Sequence, residues 1–269
     1  MKPYYETELG KLYHGDCLEI MPELEPVDLV LTSPPYDNLR VYGGHDFDFQ
    51  NIAKKISQKI KTGGVIVWVV GDETINGSET GSSFKQALFF KSIGLNLHDT
   101  MIYNKGYTPC YDPRNKRYKN RFEYMFVFSK GKPAVYNPIK DEPVLNPGVN
   151  KKSTSRKRDG SMRNFNDIWC GKYQDRGNIW LFQTGWMKTT TDKYAYAHPA
   201  MFPETLASDH IVSWSNESDM VADIMCGSGT TCKVAEKLKR RWIGIEIEEK
   251  YCEIAAKRIE QERKQLKLF

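Results

Sequence analysis

The chain has 269 residues and a formal net charge of +5, with 40% hydrophobic and 27% charged residues. These values are typical of a folded globular protein and argue against a disordered or membrane-spanning chain. The longest apolar run, Val65–Val70, is too short to cross a bilayer, and the first residues lack the pattern of a secretion signal, so we expect a cytoplasmic protein. Six scattered cysteines have no metal-binding spacing, which predicts reduced thiols and no metal site.

The first half of the chain alternates short apolar runs with amphipathic stretches. The runs predict strands, the stretches predict helices, and their alternation is typical of βα units on a mostly parallel sheet. In chain order, we predict a strand at Val27–Thr32, a helix at Asn51–Ile60, a strand at Val65–Val70, a helix at Phe84–Ile93, and strands at Leu97–Asn104 and Glu123–Ser129.

Between residues 131 and 196 this periodicity fades and Pro, Gly, Asn, Lys and Arg dominate. The segment is therefore predicted to be an irregular insertion between two halves of one core, residues 1–130 and 197–269. The second half resumes with a helix at Pro203–Trp214, a strand at Val221–Ile224, a helix at Thr231–Lys239, a strand at Trp242–Ile247 and a long helix from about Glu249.

A glycine-rich turn lies between the predicted strand that ends near Asp223 and the helix that follows it. Gly227 and Gly229 permit close approach of the backbone to a ligand, and the helix start offers unpaired N–H groups. Glu246 ends the next strand, roughly 20 residues further on, where a carboxylate can accept hydrogen bonds from two ribose hydroxyls. No Gly-Lys-Ser/Thr follows and a third glycine is missing, so a nucleoside cofactor is favoured over a phosphate loop or a dinucleotide. A tight turn beside a surface glutamate is the alternative.

A second motif, Thr32-Ser33-Pro34-Pro35-Tyr36, stands where the strand Val27–Thr32 ends. The prolines fix the backbone and remove N–H donors, which leaves the carbonyl of Pro34 as an acceptor for a ligand. Ser33 adds a hydroxyl, and Tyr36 adds a ring that can stack on a base. These groups suit an amino group on an aromatic ring. In isolation such a motif is more often only a turn, and the glycine turn gives it its weight.

Together the two motifs resemble those of the amino-methyltransferases of bacterial and phage DNA, which carry Asp/Asn/Ser-Pro-Pro-Tyr and an Asp-Pro-Phe-x-Gly-Ser-Gly-Thr turn. The tetrapeptide comes first in this chain and the glycine turn last, which resembles the β arrangement of that family. This implies an α/β fold: a circularly permuted class I (Rossmann-like) methyltransferase fold, with a mixed, mostly parallel sheet, helices on both faces and an inserted target-recognition region. The chain departs from the common motif at Ile224 and Met225, where Pro and Phe are frequent.

The resemblance extends to four further segments, and it implies S-adenosylmethionine as the cofactor. These segments are Tyr13–Asp16, Arg121–Tyr124, His198–Glu204 and Trp242–Glu246. The implied catalytic residues are Ser33, Pro34, Pro35 and Tyr36. The implied cofactor residues are Asp16 near the adenine, Glu246 at the ribose, His198 and Phe202 near the amino-acid end, and Asp223, Cys226, Gly227, Ser228, Gly229, Thr230 and Thr231 along the glycine turn.

Two basic segments are candidates for contacts with the phosphates of double-stranded DNA, although a solvated surface is the alternative for each. The first comprises Arg114, Lys116, Arg117, Lys119 and Arg121, and the second Lys151, Lys152, Arg156, Lys157 and Arg158. We expect residues 131–196 to supply the recognition of the DNA sequence.

Ser33 favours a particular product, because in the resembled family Ser-Pro-Pro-Tyr is found mostly in N4-cytosine enzymes and Asp-Pro-Pro-Tyr in N6-adenine enzymes. We therefore expect direct methylation of a flipped cytosine, with N6-adenine methylation as the alternative. Methylation of RNA or of a protein glutamine, and a non-catalytic DNA-binding module with a vestigial cofactor site, are more remote alternatives. A cognate restriction endonuclease is a candidate partner, and the sequence leaves monomer and homodimer open.

Overall fold

The computed structural model describes residues 1–35, 47–106, 116–145, 147–148, 150–169 and 171–266. The chain divides into two compact units, one formed by Met1–Asn137 with Asn178–Phe269 and the other by Pro138–Gly177. None of the helices in the described ranges is long and apolar enough to span a membrane.

Helices and strands alternate through most of the first unit. The helices are α1 (Cys17–Ile20), α2 (Phe49–Lys59), α3 (Ser82–Ser92), α4 (Glu204–Trp214), α5 (Thr230–Lys237) and α6 (Glu249–Leu266), with 3-10 turns at Met21–Glu23 and Lys193–Ala197. The strands are β1 (Tyr5–Glu6), β2 (Gly10–His14), β3 (Val27–Thr32), β4 (Ile60–Val70), β5 (Thr74–Ile75), β6 (Ser78–Glu79), β7 (Asn96–Asn104), β8 (Phe122–Ser129), β9 (Lys140–Pro143), β10 (Asn150–Arg156), β11 (Met162–Trp169), β12 (Tyr173–Asp175), β13 (Ile179–Leu181), β14 (Met220–Asp223) and β15 (Arg241–Glu246).

The central sheet has nine strands within the described residues, in the order β1-β2-β15-β14-β3-β4-β8-β7-β13. Strands β2, β15, β14, β3 and β4 are parallel, whereas β8 is antiparallel to both of its neighbours. The strands that carry the glycine turn come last in the chain, yet β14 lies at the centre beside β3. This mixed sheet and its permuted order confirm the predicted fold class.

Both faces of the sheet are buried, because successive side chains of its central strands point to opposite faces and each face is covered by helices. On β3, Val30 belongs to a core cluster that includes Ile56 of α2 and Phe90 of α3. Its neighbours Leu29 and Leu31 are fully buried on the opposite face, the side on which α4 and α5 contact the central strands. Because both faces are covered, these strands are apolar along most of their length, which is why they were recognisable in the sequence.

Strand β4 begins at Ile60, five residues before the predicted start at Val65. The extension includes Gly64, where an added Cβ would lie 2.9 Å from the carbonyl oxygen of Asp28, so the absence of a side chain allows the two strands to approach. Helix α2 begins at Phe49, two residues earlier than predicted, with Asp48 accepting a hydrogen bond from the N–H of Asn51.

The second compact unit covers 138–177, which is shorter than the predicted insertion 131–196. It is also more regular than predicted, because β10 pairs with β11 in an antiparallel hairpin and β9 pairs with β12. These strands are mostly polar, so no alternation of apolar residues marks them. Residues from Asn178 onwards belong to the first unit, where β13 adds a parallel edge strand beside β7.

Candidate active site

A cavity of about 740 Å³ opens at the edge where the parallel strands of the first unit end. Its size is in the range of small-molecule sites. The cavity is lined by Ser33, Pro34 and Pro35 of the predicted catalytic motif and, from the predicted cofactor set, by Asp16, His198, Phe202, Asp223, Cys226, Gly227, Ser228, Thr230 and Glu246. Residues Gly229 and Thr231 are not among the lining residues. Tyr36 lies outside the described residues.

Asp223 connects the ends of the two central strands. Its Oδ1 accepts a hydrogen bond from Thr32 Oγ1 at 2.8 Å, and its Oδ2 accepts one from Thr231 Oγ1 at 2.7 Å. Burial raises the pKa of Asp223 to about 6, although these two hydrogen bonds act in the opposite direction. Thr231 therefore positions Asp223, and the Thr32 bond holds the start of the Ser33-Pro34-Pro35 segment against the glycine turn.

The two glycines of the turn have different neighbours. Both have positive φ, 51° at Gly227 and 76° at Gly229. An added Cβ at Gly227 would lie 2.5 Å from His198 Nε2, inside the cavity wall, whereas one at Gly229 would lie 2.6 Å from the Cβ of Ala255 on α6. Gly227 thus keeps space at the predicted ligand, while Gly229 lets α5 pack against α6.

Glu246 fixes the turn to the next strand. Its Oε2 accepts the N–H of Gly227 at 2.8 Å and its Oε1 accepts the N–H of Glu248 at 2.9 Å. Burial raises the pKa of this carboxyl group. Each carboxylate oxygen can accept more than one hydrogen bond, so Glu246 retains capacity for a ligand hydroxyl while it holds the turn.

Asp16 and His198 each make a local contact that orients them at the cavity. Oδ1 of Asp16 accepts the N–H of Leu18 at the start of α1, at 2.8 Å. Nδ1 of His198 accepts the N–H of Ala200 at 3.2 Å, and its ring packs edge-on against Tyr251 with centroids 4.4 Å apart. In neutral His198 the proton is therefore assigned to Nε2, the atom that faces Gly227.

Behind the glycine turn lies a buried ionic cluster, formed by Asp192, Glu204, Lys233, Arg258 and Glu262. Arg258 is fully buried and donates to the carbonyl of Ser228 at 2.8 Å and to Thr230 Oγ1 at 3.0 Å. It also pairs with Asp192 at 2.8 Å and with Glu204 at 2.6 Å.

Lys233 joins the same carboxylates from α5, at 2.9 Å from Asp192 and 3.0 Å from Glu204. Desolvation acts to raise the pKa of Asp192, but hydrogen bonds from Lys233 and Arg258 outweigh it, so the pKa lies below its usual value. The cluster was not predicted from the sequence, because its members are far apart in the chain and none belongs to a motif.

Three further residues that line the cavity were likewise not predicted as site residues from the sequence. Tyr103 near the end of β7 is in register with Glu123 on β8, and Lys105 follows β7. Lys105 Nζ lies 2.5 Å from Glu123 Oε1 in a half-buried ion pair. Tyr103 is only 2% exposed, and its hydroxyl has no hydrogen-bond partner within the described part of the chain.

None of the described residues among the predicted DNA contacts is part of the cavity lining. In the first basic segment Lys116, Lys119 and Arg121 are exposed, and Arg117 pairs with Glu79 at 3.2 Å. In the second segment the exposed residues Arg156, Lys157 and Arg158 stand where β10 ends and the hairpin turns. Lys151 and Lys152 are on β10, and Arg114 is outside the described residues. No cluster of His, Cys, Asp or Glu suited to a metal ion occurs in the ranges described.

Comparison with known proteins gives consistent similarities. The family model for DNA methylases of the N6/N4 type matches residues 27–257. The orphan methyltransferase M.BamHII of Bacillus amyloliquefaciens is 49% identical over 248 residues, which is 91% of this chain and 90% of that protein.

Among solved structures, PvuII DNA methyltransferase (cytosine-N4-specific) superposes with a TM-score of 0.68 at 24% identity, covering 96% of this chain and 88% of that one. The M1.HpyAVI–SAM complex gives 0.61 at 21% identity, with coverage of 93% and 98%. At these identities the solved structures support the fold only. Family membership rests on the family model and on the similarity to M.BamHII.

Proposed function

The chain belongs to the N6/N4 DNA methylase family, and on that premise we propose that it transfers a methyl group from S-adenosylmethionine to the N4 amino group of cytosine in double-stranded DNA. The observation that carries the proposal is the shared cavity. Ser33 and Pro34 open into the same space as the glycine turn and Glu246, so a methyl donor and an amino group can meet there.

The residues of the glycine-turn side suit the cofactor. Glu246 and Asp16 provide carboxylate acceptors for ribose hydroxyls and for the adenine amino group, and Gly227 leaves room beside His198. When bound, the cofactor would supply an activated methyl group. Asp223 and Thr231 contribute indirectly, because they hold the turn against β3.

Ser33 and Pro34 would prepare the acceptor nitrogen. The lone pair of an exocyclic amino group is delocalised into the ring, which makes the nitrogen a poor nucleophile. The Ser33 hydroxyl and the Pro34 carbonyl can each accept one amino hydrogen and so turn the lone pair toward the methyl group, a combination of orientation and electrostatic stabilisation. The nitrogen would form its bond to the methyl group as the methyl–sulfur bond of the donor breaks, the sulfur keeping that electron pair, and the nitrogen would then release one proton to water. No covalent intermediate with the protein is required.

A base within a duplex cannot reach this cavity, so the target must be flipped out at a cost of about a few kcal/mol. Tyr36 is proposed to stack on the flipped base. The exposed cations Lys116, Lys119 and Arg121, and the second basic segment, are proposed to contact phosphates that offset this cost. Residues 131–196 are proposed to supply sequence recognition.

We propose cytosine rather than adenine as the target because the Pro-Pro-Tyr motif of this chain begins with Ser33 and not with Asp. The PvuII enzyme, which has the same fold, is described as cytosine-N4-specific. The decisive experiment is to methylate a plasmid with the purified protein, hydrolyse it and analyse the nucleosides by mass spectrometry. We expect N4-methylcytosine. N6-methyladenine alone would overturn the choice of base, and an unmodified plasmid, with binding of S-adenosylmethionine intact, would overturn the activity.

Ser33→Ala provides the matched test of the catalytic role. Loss of one preorganised hydrogen-bonding group is expected to lower the single-turnover rate by about 10²-fold, the cost typical of such groups. Affinity for S-adenosylmethionine is expected to change little, because Ser33 is proposed to contact the base. A variant with the wild-type rate would remove Ser33 from the mechanism.

A further inference from the structure

The hydroxyl of Tyr103 is a buried polar group without a protein partner in the described residues, and its residue lines the cavity. A buried hydroxyl normally finds a hydrogen bond, since leaving it unpaired costs about 1–3 kcal/mol. Tyr103 lies on β7, which pairs with β8 and β13, and its ring is 2% exposed and packs against Phe182 with centroids 5.9 Å apart, so the hydroxyl cannot simply turn to solvent. The position is therefore suited to a ligand that supplies the missing partner.

Lys105 and Glu123 complete this wall of the cavity. Their ion pair leaves the wall without net charge, so a neutral ring can approach without burying a lone ion. An ammonium group has three donors, and after one is used by Glu123 the others can serve a ligand. Burial, together with the negative charge of Glu123, raises the pKa of Tyr103, so its hydroxyl keeps its proton and can donate.

These groups and the catalytic motif line the same cavity, at the edge where β3 and β7 both end. Strands β3 and β7 are three positions apart in the sheet, which corresponds to about 14 Å between their backbones. That separation between the strand ends leaves room for a single base with a hydrogen bond at either edge. An amino group held at Ser33 would therefore direct the far edge of its ring toward Tyr103 and Lys105.

We propose that Tyr103 and Lys105, with Glu123 orienting the lysine, form the subsite that holds the far edge of the flipped base and selects cytosine. Cytosine has two adjacent acceptors on that edge, the ring nitrogen N3 and the carbonyl oxygen O2, which match two donors. Adenine offers the ring nitrogen N1 beside a C–H group and would leave one donor unpaired. The inference rests on the proposed function, but its base preference comes from residues other than Ser33.

The test uses an oligonucleotide that carries the methylation site mapped in the plasmid experiment. In a second oligonucleotide the target cytosine is replaced by a 2-aminopyridine C-nucleoside, which keeps the amino group and the neighbouring ring nitrogen but lacks the carbonyl oxygen. Single-turnover methylation of both is measured with wild type and with Tyr103→Phe, which removes only the hydroxyl. The rate of wild type is expected to be about tenfold lower on the analogue than on cytosine DNA, which is the usual effect of leaving a buried donor unpaired.

For Tyr103→Phe we expect a single-turnover rate on cytosine DNA about tenfold below that of wild type. On the analogue its rate should fall by less than about twofold further, because the hydrogen bond is already absent. Its affinity for S-adenosylmethionine should equal that of wild type. Tyr196→Phe is the matched control, since Tyr196 also lines the cavity but its hydroxyl already donates to protein carbonyls at Gly185 and Thr190. This variant should show the same penalty on the analogue as wild type.

The double variant Lys105→Gln/Glu123→Gln keeps a hydrogen-bonded pair without leaving one buried charge unpaired, and it should also lower the rate on cytosine DNA. If Tyr103→Phe lowered the single-turnover rate, relative to wild type, by the same factor on both substrates, or on neither, the proposed subsite would be overturned. The methyltransferase activity itself would remain in place. A wild-type protein that makes no N4-methylcytosine would overturn the proposed function, and the cytosine subsite with it.

Discussion

The two sides of the cavity differ in how their polar groups are satisfied. On the glycine-turn side, Asp223, Glu246 and the carbonyl of Ser228 are already hydrogen-bonded within the protein. On the opposite side, the Tyr103 hydroxyl has no partner among the residues described, and Lys105 pairs with Glu123 at the wall. The glycine-turn side is therefore shaped by folding itself, whereas the Tyr103 side, the proposed base side, keeps a polar group that a ligand would satisfy. Mutations on the first side should act on stability and cofactor affinity, and those on the second on the choice of base.

The largest expected effect is from Arg258→Met. This change removes the positive charge that pairs with Asp192 and Glu204, so that among the described residues only Lys233 still compensates these two carboxylates. It also removes the donor to the Ser228 carbonyl. We expect the free energy of unfolding to fall by about 3–5 kcal/mol, as when one partner of a buried ion pair is removed. Urea denaturation measures this decrease.

Lys264→Met on the same helix is its control. Lys264 is exposed and pairs with the partly exposed Glu260 at 3.6 Å, so almost no change in the free energy of unfolding is expected. Similar decreases for the two variants would contradict the idea that the buried ionic cluster stabilises the glycine turn.

The glycine pair gives the next largest effect and separates binding from folding. Gly229→Ala places a Cβ 2.6 Å from that of Ala255 and is expected to cost about 1–3 kcal/mol of unfolding free energy. Gly227→Ala presses on the His198 ring and narrows the cavity, so we expect the affinity for S-adenosylmethionine to fall by at least about tenfold. Calorimetric titration and thermal unfolding of both variants distinguish these outcomes. If Gly227→Ala lost only stability, its assignment to the cofactor would be wrong.

The titration of Asp223 provides a smaller, pH-dependent test. Its pKa is raised from an ordinary value of 3.8 to about 6, so the folded state binds this proton more tightly than the unfolded state. The associated stability is present below pH 3.8 and is lost as pH rises to about 6, with a slope of at most about 1.4 kcal/mol per pH unit. Denaturation at several pH values should show this slope in wild type and a reduced slope in Asp223→Asn. An unchanged slope would assign it to other groups, among them Glu246.

The smallest effect per residue is expected from the exposed basic turn of the second unit. Reversing Arg156, Lys157 and Arg158 to glutamate should weaken DNA binding and reduce the slope of log K against log salt by about 0.9 for each phosphate that the protein no longer neutralises. Fluorescence anisotropy across a salt titration measures both quantities. As a matched pair, Lys157→Glu should weaken binding more than Lys172→Glu, an exposed lysine outside the basic segments. Unchanged binding by the triple variant would indicate a solvated surface.

Local sequence was sufficient to locate the framework of the site. The buried strand Val27–Thr32 and the turn before α5 were recognisable because a short apolar run followed by Pro or Gly restricts the backbone in few ways. Glu246 was identified by its distance from the turn, and the structure adds that it also accepts the N–H of Gly227. The permuted order was implied by the resemblance of the motif order to the β arrangement of the family.

The remaining features depend on contacts that no local pattern encodes. Arg258 looks like one of many charged residues on a terminal helix, and its burial follows only from packing against Asp192, 66 positions away. The unpaired hydroxyl of Tyr103 is a property of its three-dimensional surroundings. Strand β13 has only three residues and forms because β7 offers an open edge, so it was included in the predicted insertion.

The hydrogen bond between Thr32 and Asp223 has a consequence for the order in which the protein assembles during synthesis. It joins residues 191 positions apart, and β3 meets β14 at the same place. Contacts of such high sequence separation form late, because a long loop must close first. When only the first half of the chain has been synthesised, it contains the Ser33-Pro34-Pro35 motif but neither the glycine turn nor Glu246. Methylation competence is therefore acquired only after β14 and β15 have been synthesised, and synthesis interrupted before them leaves fragments without a cofactor pocket.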